Sequence, residues 1–247
     1  MRATIVLVHG AFAESASWNG VIDPLEAAGH RVISAANPLR GVAFDAASVS
    51  DLVASIDGPV LLVAHSYGGA VITNVDPDAG DIAGLVYVCA FAPDTGESAF
   101  TLADKYAGSS DPADHSTLAG ALHPVARADG TTDLYIAQDR FHAQFCADVP
   151  VAEAKRMAAT QRPATKEALI EATGDRPLWK ERPSCFVIGE QDRNIPAAVQ
   201  RFMAQRAGAR RVLEIPGGSH AISVSQPRAV ADLILEAAAL RTTQAVG

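Results

Sequence analysis

Short apolar runs alternate along the chain with longer segments in which apolar residues recur at helical spacing. Six runs have the length and β-branched content of strands and lie at residues 4–9, 31–35, 60–65, 82–91, 185–189 and 211–215. Helices are predicted between them at residues 18–28, 46–56, 67–75, 197–206 and 227–240. Several strands are apolar throughout rather than alternating, which is typical of a sheet covered by helices on both faces. The pattern predicts an α/β fold with a mostly parallel, doubly wound sheet.

One long segment interrupts this alternation. No strand is predicted between residues 93 and 183, where the pattern indicates loops and short helices, most clearly at 152–160 and 165–173. An insertion of this kind is expected over the carboxyl ends of the strands, where open α/β sheets bind ligands. We therefore predict a core formed by residues 1–92 and 184–247, with residues 93–183 as a helical cap.

The sharpest chemical signal is the segment from Val60 to Gly69, in which an apolar strand runs directly into a helix pattern at Ser66. Ala64 and Gly68 lie two residues before and after this serine. Small residues are needed there because larger side chains would collide across a strained strand-to-helix turn. Such a turn raises the hydroxyl above the sheet, so Ser66 is predicted to be a catalytic nucleophile. The alternative is an ordinary serine in a glycine-capped loop.

A serine hydroxyl is a poor nucleophile until a base removes its proton. Among the seven histidines, His220 has the best position, since it lies in a glycine-rich turn between the last strand and the last helix. The third member must be a carboxylate that orients the imidazole. Asp192 is predicted for this role because it lies in the polar turn after strand 185–189, and Glu190 is the competing acid.

The turn after the first strand supplies a fourth element. Gly10 allows a sharp backbone turn there, so the N–H of Ala11 can face the nucleophile. Together with the N–H of Tyr67 it is predicted to form an oxyanion hole, in which one donor is typically worth roughly 3–4 kcal/mol to the transition state. His9 is expected to orient this turn through hydrogen bonds rather than to act as a base.

With these motifs the chain resembles an α/β-hydrolase of the small esterase branch that includes plant methylesterases, hydroxynitrile lyases and pyrethroid-hydrolase-like carboxylesterases. The resemblance spans essentially the whole chain and rests on HGAF at 9–12, AHSYGG at 64–69, strand 85–93, GEQDRNIP at 189–196 and GGSH at 217–220. Cap segments 141–150 and 160–163 resemble those of bacterial members. The resemblance implies Ser66, Asp192 and His220 as the catalytic triad, with Ala11 and Tyr67 as oxyanion donors.

The implied function is a serine hydrolase that cleaves a small to medium, mostly apolar carboxylic ester through an acyl-enzyme. Hydroxynitrile lyases of this branch carry Thr at the position of Gly10 and Lys at that of Ala221, so the groups that would handle cyanide are missing here. Lactone opening, lyase-like or perhydrolase chemistry on the same triad, and a non-catalytic small-molecule receptor, remain as alternatives.

Aromatic and histidine side chains are the candidates for lining the substrate pocket, although any of them could equally be core packing. These candidates are Phe12, Phe91, Tyr106, Tyr135, Phe141, His142, Phe145 and Trp179. Phe12 is favoured because it adjoins the oxyanion turn. The oligomeric state, monomer or homodimer, is not predicted.

Composition and charge exclude other classes of partner. The chain has 247 residues, with 20 Lys and Arg against 28 Asp and Glu, a net charge of −8 and no basic cluster. Nucleic acid and anionic membranes are therefore not expected as partners. No apolar run approaches the ~18 residues of a membrane span and the N-terminal run is too short for a signal peptide, so a cytoplasmic location is expected.

The cysteines argue against a metal or a disulfide framework. Cys89, Cys146 and Cys185 are far apart and lack metal-ligand spacing. They are expected to be small buried hydrophobes. Neither a metal nor another cofactor is predicted.

Overall fold

The computed structural model describes residues 2–240. The strands, in chain order, are β1 (Thr4–Val8), β2 (Val32–Ala35), β3 (Val60–Ser66), β4 (Ile82–Ala90), β5 (Leu122–Ala126), β6 (Thr132–Ile136), β7 (Ala164–Thr165), β8 (Ser184–Gly189) and β9 (Arg211–Ile215). The helices are α1 (Asn19–Ala27), α2 (Val42–Ala54), α3 (Tyr67–Thr73), α4 (Ala99–Ala103), α5 (Gln138–Phe145), α6 (Val151–Thr160), α7 (Lys166–Ile170), α8 (Ala197–Arg206), α9 (Ile222–Ser225) and α10 (Pro227–Leu240). Short 3₁₀ turns lie at Ser15–Trp18, Pro112–Asp114, Leu118–Ala121 and Leu178–Lys180.

Six strands form the central sheet in the order β2-β1-β3-β4-β8-β9, and every neighbouring pair is parallel. Each of the six predicted strands is found, with its ends within one residue of the prediction. Side chains of β1 alternate between two buried clusters, with Val6 and Val8 in one and Ile5 and Leu7 in the other. The sheet is therefore covered on both faces, and the predicted fold class is confirmed.

Parallel strands bring their carboxyl ends to the same edge of the sheet. The loops after β1, β3, β4, β8 and β9 consequently meet there. These loops carry the segments that the sequence singles out around residues 9–12, 66–69, 189–196 and 217–220. Topology alone thus gathers the candidate catalytic residues.

The segment 93–183 carries short helices, as predicted, but the expectation that it lacks strands is wrong. β5, β6 and β7 form a small antiparallel sheet within it. Apart from Leu122, which is half-buried, all of β5 is exposed, so its residues lack the apolar run that marked the core strands. The signal that could have found the hairpin is Asp129-Gly130, a turn-forming pair between the two strands. Gly130 has φ +87°, which favours glycine.

Charged residues attach this small sheet to the core. The Asp133 carboxylate of β6 accepts hydrogen bonds from Arg40 (Nη1–Oδ1, 2.7 Å) and Arg127 (Nη1–Oδ2, 2.8 Å). Arg40 lies in the loop after β2 and also donates to the Pro163 carbonyl at 3.0 Å. Segment 93–183 is therefore joined to the loop after β2.

Candidate active site

Ser66 occupies a strained turn at the junction of β3 and α3. Its backbone has φ 56° and ψ −126°, a combination that non-glycine residues rarely adopt. Its side chain makes no capping hydrogen bond to the helix that follows, and the residue is 6% exposed. The hydroxyl therefore does not cap the N-terminus of α3.

The small residues around Ser66 are required by close backbone contacts. A Cβ atom on Gly68 would lie 2.7 Å from the carbonyl oxygen of Val8. One on Gly69 would lie 2.2 Å from the Phe91 carbonyl oxygen. The first turn of α3 therefore packs directly between the ends of β1 and β4, which is possible only with glycine at these positions.

Asp192 and His220 meet in the buried space at the ends of β8 and β9. His220 Nδ1 lies 2.8 Å from Asp192 Oδ2, and both residues are buried. Asp192 Oδ1 accepts hydrogen bonds from the backbone N–H groups of Asn194 (2.8 Å) and Ile195 (2.9 Å). Gln200 Nε2 donates to Oδ2 at 2.9 Å. The carboxylate is therefore fully hydrogen-bonded and fixed in orientation.

The second nitrogen of His220, Nε2, is buried and has no hydrogen-bond partner within the described residues 2–240. Because Nδ1 donates to Asp192, Nε2 carries the lone pair in the neutral imidazole. Glu190, the competing acid, is exposed and accepts instead from the Gly217 N–H at 3.3 Å. The arrangement leaves His220 with a basic nitrogen and Asp192 as the carboxylate that orients it.

His65, directly before Ser66, connects the turn at Ser66 to the loop that contains His220. Its Nε2–H donates to the main-chain carbonyl of His220 at 2.9 Å. The two imidazole rings are 4.6 Å apart between centroids. Burial lowers the pKa of His65 well below its ordinary value, so this ring is neutral. His220 is therefore held against the residue next to Ser66.

The turn after β1 lies against Ser66. A Cβ atom on Gly10 would be 2.5 Å from the Cβ of Ser66. His9 Nδ1 donates to the Gly10 carbonyl at 3.0 Å, and its Nε2 accepts from the Asn37 N–H at 3.2 Å. Phe12 has φ +61° and donates its N–H to the Arg162 carbonyl of the cap at 2.9 Å. His9, Asn37 and the cap thus hold the turn that contains Ala11.

Tyr67 opens α3, so its N–H is one of the first four in the helix and has no intrahelical acceptor. Its side chain donates to the buried carboxylate of Asp45 at 2.8 Å. Asp45 in turn accepts from the Arg40 N–H at 3.1 Å. Burial raises the pKa of Asp45 above its ordinary value. This contact fixes the orientation of the residue whose backbone N–H is proposed to bind the oxyanion.

Several of these groups were missed by sequence reasoning. They are the hydrogen-bonding partners Asn37, Asp45 and Gln200, together with the contact of His65 to the His220 carbonyl. No motif spacing predicts any of these contacts. Asn37, Asp45 and the His220 carbonyl reach their partners from elements distant in sequence, and Gln200 reaches Asp192 from α8, so only the assembled fold identifies these contacts.

Two cavities lie beside the loops that flank Ser66. One of about 160 Å³ is lined mainly by apolar side chains, including Phe91, Ala103, Leu118 and Leu169. The other, of about 190 Å³, is lined by Phe12, Met157 and Val224 with a polar rim. β1 and β4 flank β3 in the sheet, so Phe12 and Phe91 follow strands on opposite sides of Ser66. Neither cavity is lined by Ser66 itself.

The remaining pocket candidates have other contacts. Phe145 packs edge-on against His220 with 4.9 Å between centroids, and Phe141 stacks on Phe145 at the same distance. A ring nitrogen of His142 lies 2.9 Å from the Val149 carbonyl, inside the cap. Trp179 donates to the Pro93 carbonyl at 2.8 Å. Tyr106 and Tyr135 are half-buried, and neither lines the two cavities above.

The three cysteines are free and buried, as predicted. Burial raises the pKa of Cys146 to about 12 and that of Cys185 to about 11. Both thiols therefore stay protonated at neutral pH. Among residues 2–240 no group of three or more His, Cys, Asp or Glu side chains is arranged to hold a metal ion.

The family model described as the alpha/beta hydrolase family matches residues 5–233. The chain belongs to the alpha/beta hydrolase family. Methylesterase 8 of Arabidopsis thaliana is 26% identical over 256 residues, which cover 95% of this chain and 89% of that relative. The pyrethroid hydrolase of Sphingobium wenxiniae is 28% identical over 251 residues, which cover 94% of this chain and 86% of that relative.

The crystal structure of polyneuridine aldehyde esterase aligns with a TM-score of 0.77 and 21% identity, covering 96% of this chain and 99% of that one. At this identity the likeness shows the fold. Together with the esterases above, it confirms the predicted class, a carboxylesterase-type alpha/beta hydrolase. In the part of the chain that the structure describes, no helix is long and apolar enough to cross a membrane.

Replacing Gly10 with threonine should destabilise the protein. Threonine is the residue at this position in the hydroxynitrile lyases of the branch that the chain resembles. The new Cβ would collide with Ser66, and overpacking of this kind costs about 1–3 kcal/mol. We expect thermal unfolding to shift down by several degrees, roughly 2–4 °C for each kcal/mol. Gly120→Ala is the control, because a Cβ there meets nothing within 4 Å. Equal midpoints for the two variants would show that the turn tolerates a side chain.

Stability should fall at mildly acid pH because two histidines are buried. Burial lowers the pKa of His9 and His65, so the folded protein does not take up the protons that the unfolded chain takes up below about pH 6.5. The stability that these histidines contribute is complete above that pH. It is lost as the pH drops towards their folded-state pKa values, by up to about 1.4 kcal/mol per pH unit for each residue.

Urea unfolding at about pH 7.5, 6.5 and 5.5 measures this dependence. His65→Gln should have a shallower slope than the wild type below about pH 6.5, because one proton fewer is taken up on unfolding. His123→Gln is the matched control, since His123 is exposed in β5. If the free energy of unfolding of His65→Gln depends on pH as steeply as that of the wild type, His65 is not the buried neutral histidine that causes the dependence.

Proposed function

We propose that this protein cleaves a small to medium, mostly apolar carboxylic ester through an acyl-enzyme on Ser66. The observation that carries the proposal is the state of His220. Its Nδ1 is held by the buried Asp192 at 2.8 Å, while its Nε2 is buried without a partner among the described residues. A general base needs this combination of one oriented nitrogen and one basic nitrogen near the nucleophile.

The proposed reaction uses these groups as follows. His220 Nε2 takes the proton of the Ser66 hydroxyl as its oxygen attacks the ester carbonyl carbon. The negative charge on the carbonyl oxygen is stabilised by the N–H groups of Ala11 and Tyr67. The C–O bond to the alcohol then breaks, and His220 returns the proton to the leaving oxygen. Water attacks the acyl-enzyme by the same route, which releases the acid and restores Ser66.

The two cavities support an apolar substrate of limited size. The cavity beside Phe91 is lined mainly by apolar side chains and has a volume of about 160 Å³. A pocket of this kind binds an alkyl or aryl group by removing apolar surface from water. The similar proteins named methylesterase and pyrethroid hydrolase support an ester as substrate. We therefore assign ester hydrolysis ahead of lactone opening, perhydrolysis or a receptor role.

The residues at positions 10 and 221 disfavour lyase chemistry. Gly10 has no room for a side chain beside Ser66, and Ala221 is buried at 1% exposure. A lysine at position 221 would bring an unpaired ammonium group into a buried space, which is strongly unfavourable. The site therefore supplies the groups for acyl transfer rather than those for handling cyanide.

The test combines labelling with product analysis. A fluorophosphonate probe should label Ser66 in the wild type, and the modified peptide is located by mass spectrometry. A panel of p-nitrophenyl esters and lactones is then assayed, with acid and alcohol quantified by chromatography. Labelling with equal amounts of acid and alcohol supports an esterase. Absence of both labelling and turnover in the folded protein would overturn the proposal and favour a receptor role.

Filling the cavity beside Phe91 should reduce the length of the acyl chain that the protein accepts. In Leu118→Trp we expect kcat/KM for p-nitrophenyl octanoate to drop by about 10–100-fold, since each buried methylene is worth about 0.8 kcal/mol. The value for the acetate ester should change by less than about threefold. Val125→Trp is the control, because Val125 is exposed and lies outside both cavities. Parallel losses on both esters would contradict this role for the cavity.

A further inference from the structure

Asp148 belongs to the cap but contacts the segment that carries His220. It lies in the loop between α5 and α6, and one of its carboxylate oxygens accepts a hydrogen bond from Ser219 Oγ. The other accepts a hydrogen bond from Ser225 Oγ at 2.7 Å. Ser219 directly precedes the histidine, and Ser225 is the last residue of α9. One carboxylate therefore connects both ends of segment 219–225.

The core holds the same segment at the His220 imidazole, through Asp192, and at two main-chain carbonyls. His65 Nε2–H donates to the His220 carbonyl at 2.9 Å, and the Cys89 thiol lies 3.7 Å from the Ser219 carbonyl. The Ser219 hydroxyl donates to Asp148 of the cap and also accepts from the Ala221 N–H at 3.3 Å. Asp148 thus adds the hydroxyls of Ser219 and Ser225 to the groups of this segment that are held in place.

The position of Asp148 is itself fixed within the cap. The N–H of Val149 donates to the Cys146 carbonyl at 3.0 Å, which closes the loop around Asp148. A ring nitrogen of His142 lies 2.9 Å from the Val149 carbonyl. Phe145, at the end of α5, packs edge-on against the His220 ring. The carboxylate is therefore presented by a preformed loop rather than by a chance contact of two mobile side chains.

We propose that Asp148 is a positioning residue for His220, holding the segment 219–225 and with it the imidazole that must reach Ser66 in the proposed reaction. This inference rests on the proposed function, and it makes the cap part of the catalytic machinery as well as a cover for the pocket. Hydrogen bonds from a hydroxyl to a carboxylate are charge-assisted and stronger than neutral ones. A displacement of about 1 Å at a reacting group can cost about 10²-fold in rate.

The kinetic test is a double-mutant cycle of Asp148→Ala and Ser219→Ala that starts from the wild-type enzyme. We expect Asp148→Ala to lower kcat on p-nitrophenyl butyrate by about 10–100-fold and to change KM by less than about threefold. Ser219→Ala in the Asp148→Ala background should cost little more, because both changes remove the same contact. Asp148→Asn keeps one acceptor oxygen and should recover part of the loss. Asp139→Ala, which removes an exposed carboxylate of α5, is the matched control.

A second measurement does not depend on turnover. The Nδ1 proton that His220 shares with Asp192 gives a low-field proton NMR resonance, and its exchange with water reports how firmly the loop is held. This exchange should be at least about tenfold faster in Asp148→Ala and Asp148→Asn than in the wild type or Asp139→Ala. If the wild type lacks esterase activity but exchange responds as described, the proposed function fails and the positioning role stands.

Three results would overturn the inference. One is a wild-type kcat in Asp148→Ala, even when its thermal unfolding midpoint falls, because the contact would then serve stability alone. Another is unchanged proton exchange in both Asp148 variants. Strictly additive losses in the double-mutant cycle would likewise show that Asp148 does not act through Ser219.

Discussion

Replacing Ser66 with alanine should lower kcat by about 10⁴–10⁶-fold on p-nitrophenyl butyrate while the protein stays folded. In the proposed reaction the hydroxyl oxygen of Ser66 forms the acyl-enzyme, and alanine offers His220 no nucleophile to activate at this position. The Ser66 side chain makes no capping hydrogen bond, so its loss removes chemistry rather than a structural contact. Wild type and variant are compared side by side, with circular dichroism and thermal unfolding to verify the fold.

The control for Ser66→Ala is a buried serine without a chemical role. Ser223 is 1% exposed, and its hydroxyl has no hydrogen-bond partner among the described residues. Ser223→Ala should therefore keep kcat within about threefold of the wild type. A loss of less than about tenfold in Ser66→Ala would contradict a nucleophilic role for this residue.

Replacing Asp192 with asparagine should lower kcat by about 10³–10⁴-fold, the second largest effect that we expect. The reason lies in the donors around this side chain. The N–H groups of Asn194 and Ile195 require an acceptor at Oδ1, so the new NH₂ group would occupy the position of Oδ2. There it would face His220 Nδ1 and impose the tautomer in which Nε2 carries the proton. The imidazole could then no longer accept the proton of Ser66.

The matched control is Glu190→Gln, which removes the charge of the competing acid. Glu190 is exposed and contacts the Gly217 N–H rather than His220. Its loss should change kcat by less than about threefold, because water screens the charge of an exposed carboxylate that does not contact His220. Comparable losses in the Glu190 and Asp192 variants would show that the carboxylate has been assigned wrongly. Steady-state kinetics on the same ester measures both.

The cap is the region where sequence reasoning was least complete. Its helices were predicted in part, but the hairpin of β5 and β6 was not, since β5 is mostly exposed and carries no apolar run. Strands of the core were found because burial on both faces imposes continuous apolar runs. An exposed strand imposes no such pattern, and only its turn residues mark it.

Pocket residues were also hard to predict from the sequence. Phe12 and Phe91 do line cavities, whereas Trp179 is engaged by the Pro93 carbonyl and His142 by that of Val149. An aromatic side chain has the same signature in a core and in a pocket. Its neighbours decide between the two roles, and these come from distant parts of the chain.

The sequence by itself determined the strands of the central sheet, the turn at Ser66 and the candidate residues at the carboxyl ends of β8 and β9. These features are local, because a strand needs a run of apolar residues and a tight turn needs glycine at particular positions. The tertiary structure alone decided which groups hold the site in place, among them Gln200 on Asp192 and Asp148 on the His220 segment. Asp148 and Ser219 are 71 residues apart in the chain, Gln200 lies 8 residues beyond Asp192 on another element, and no spacing in the sequence encodes either contact.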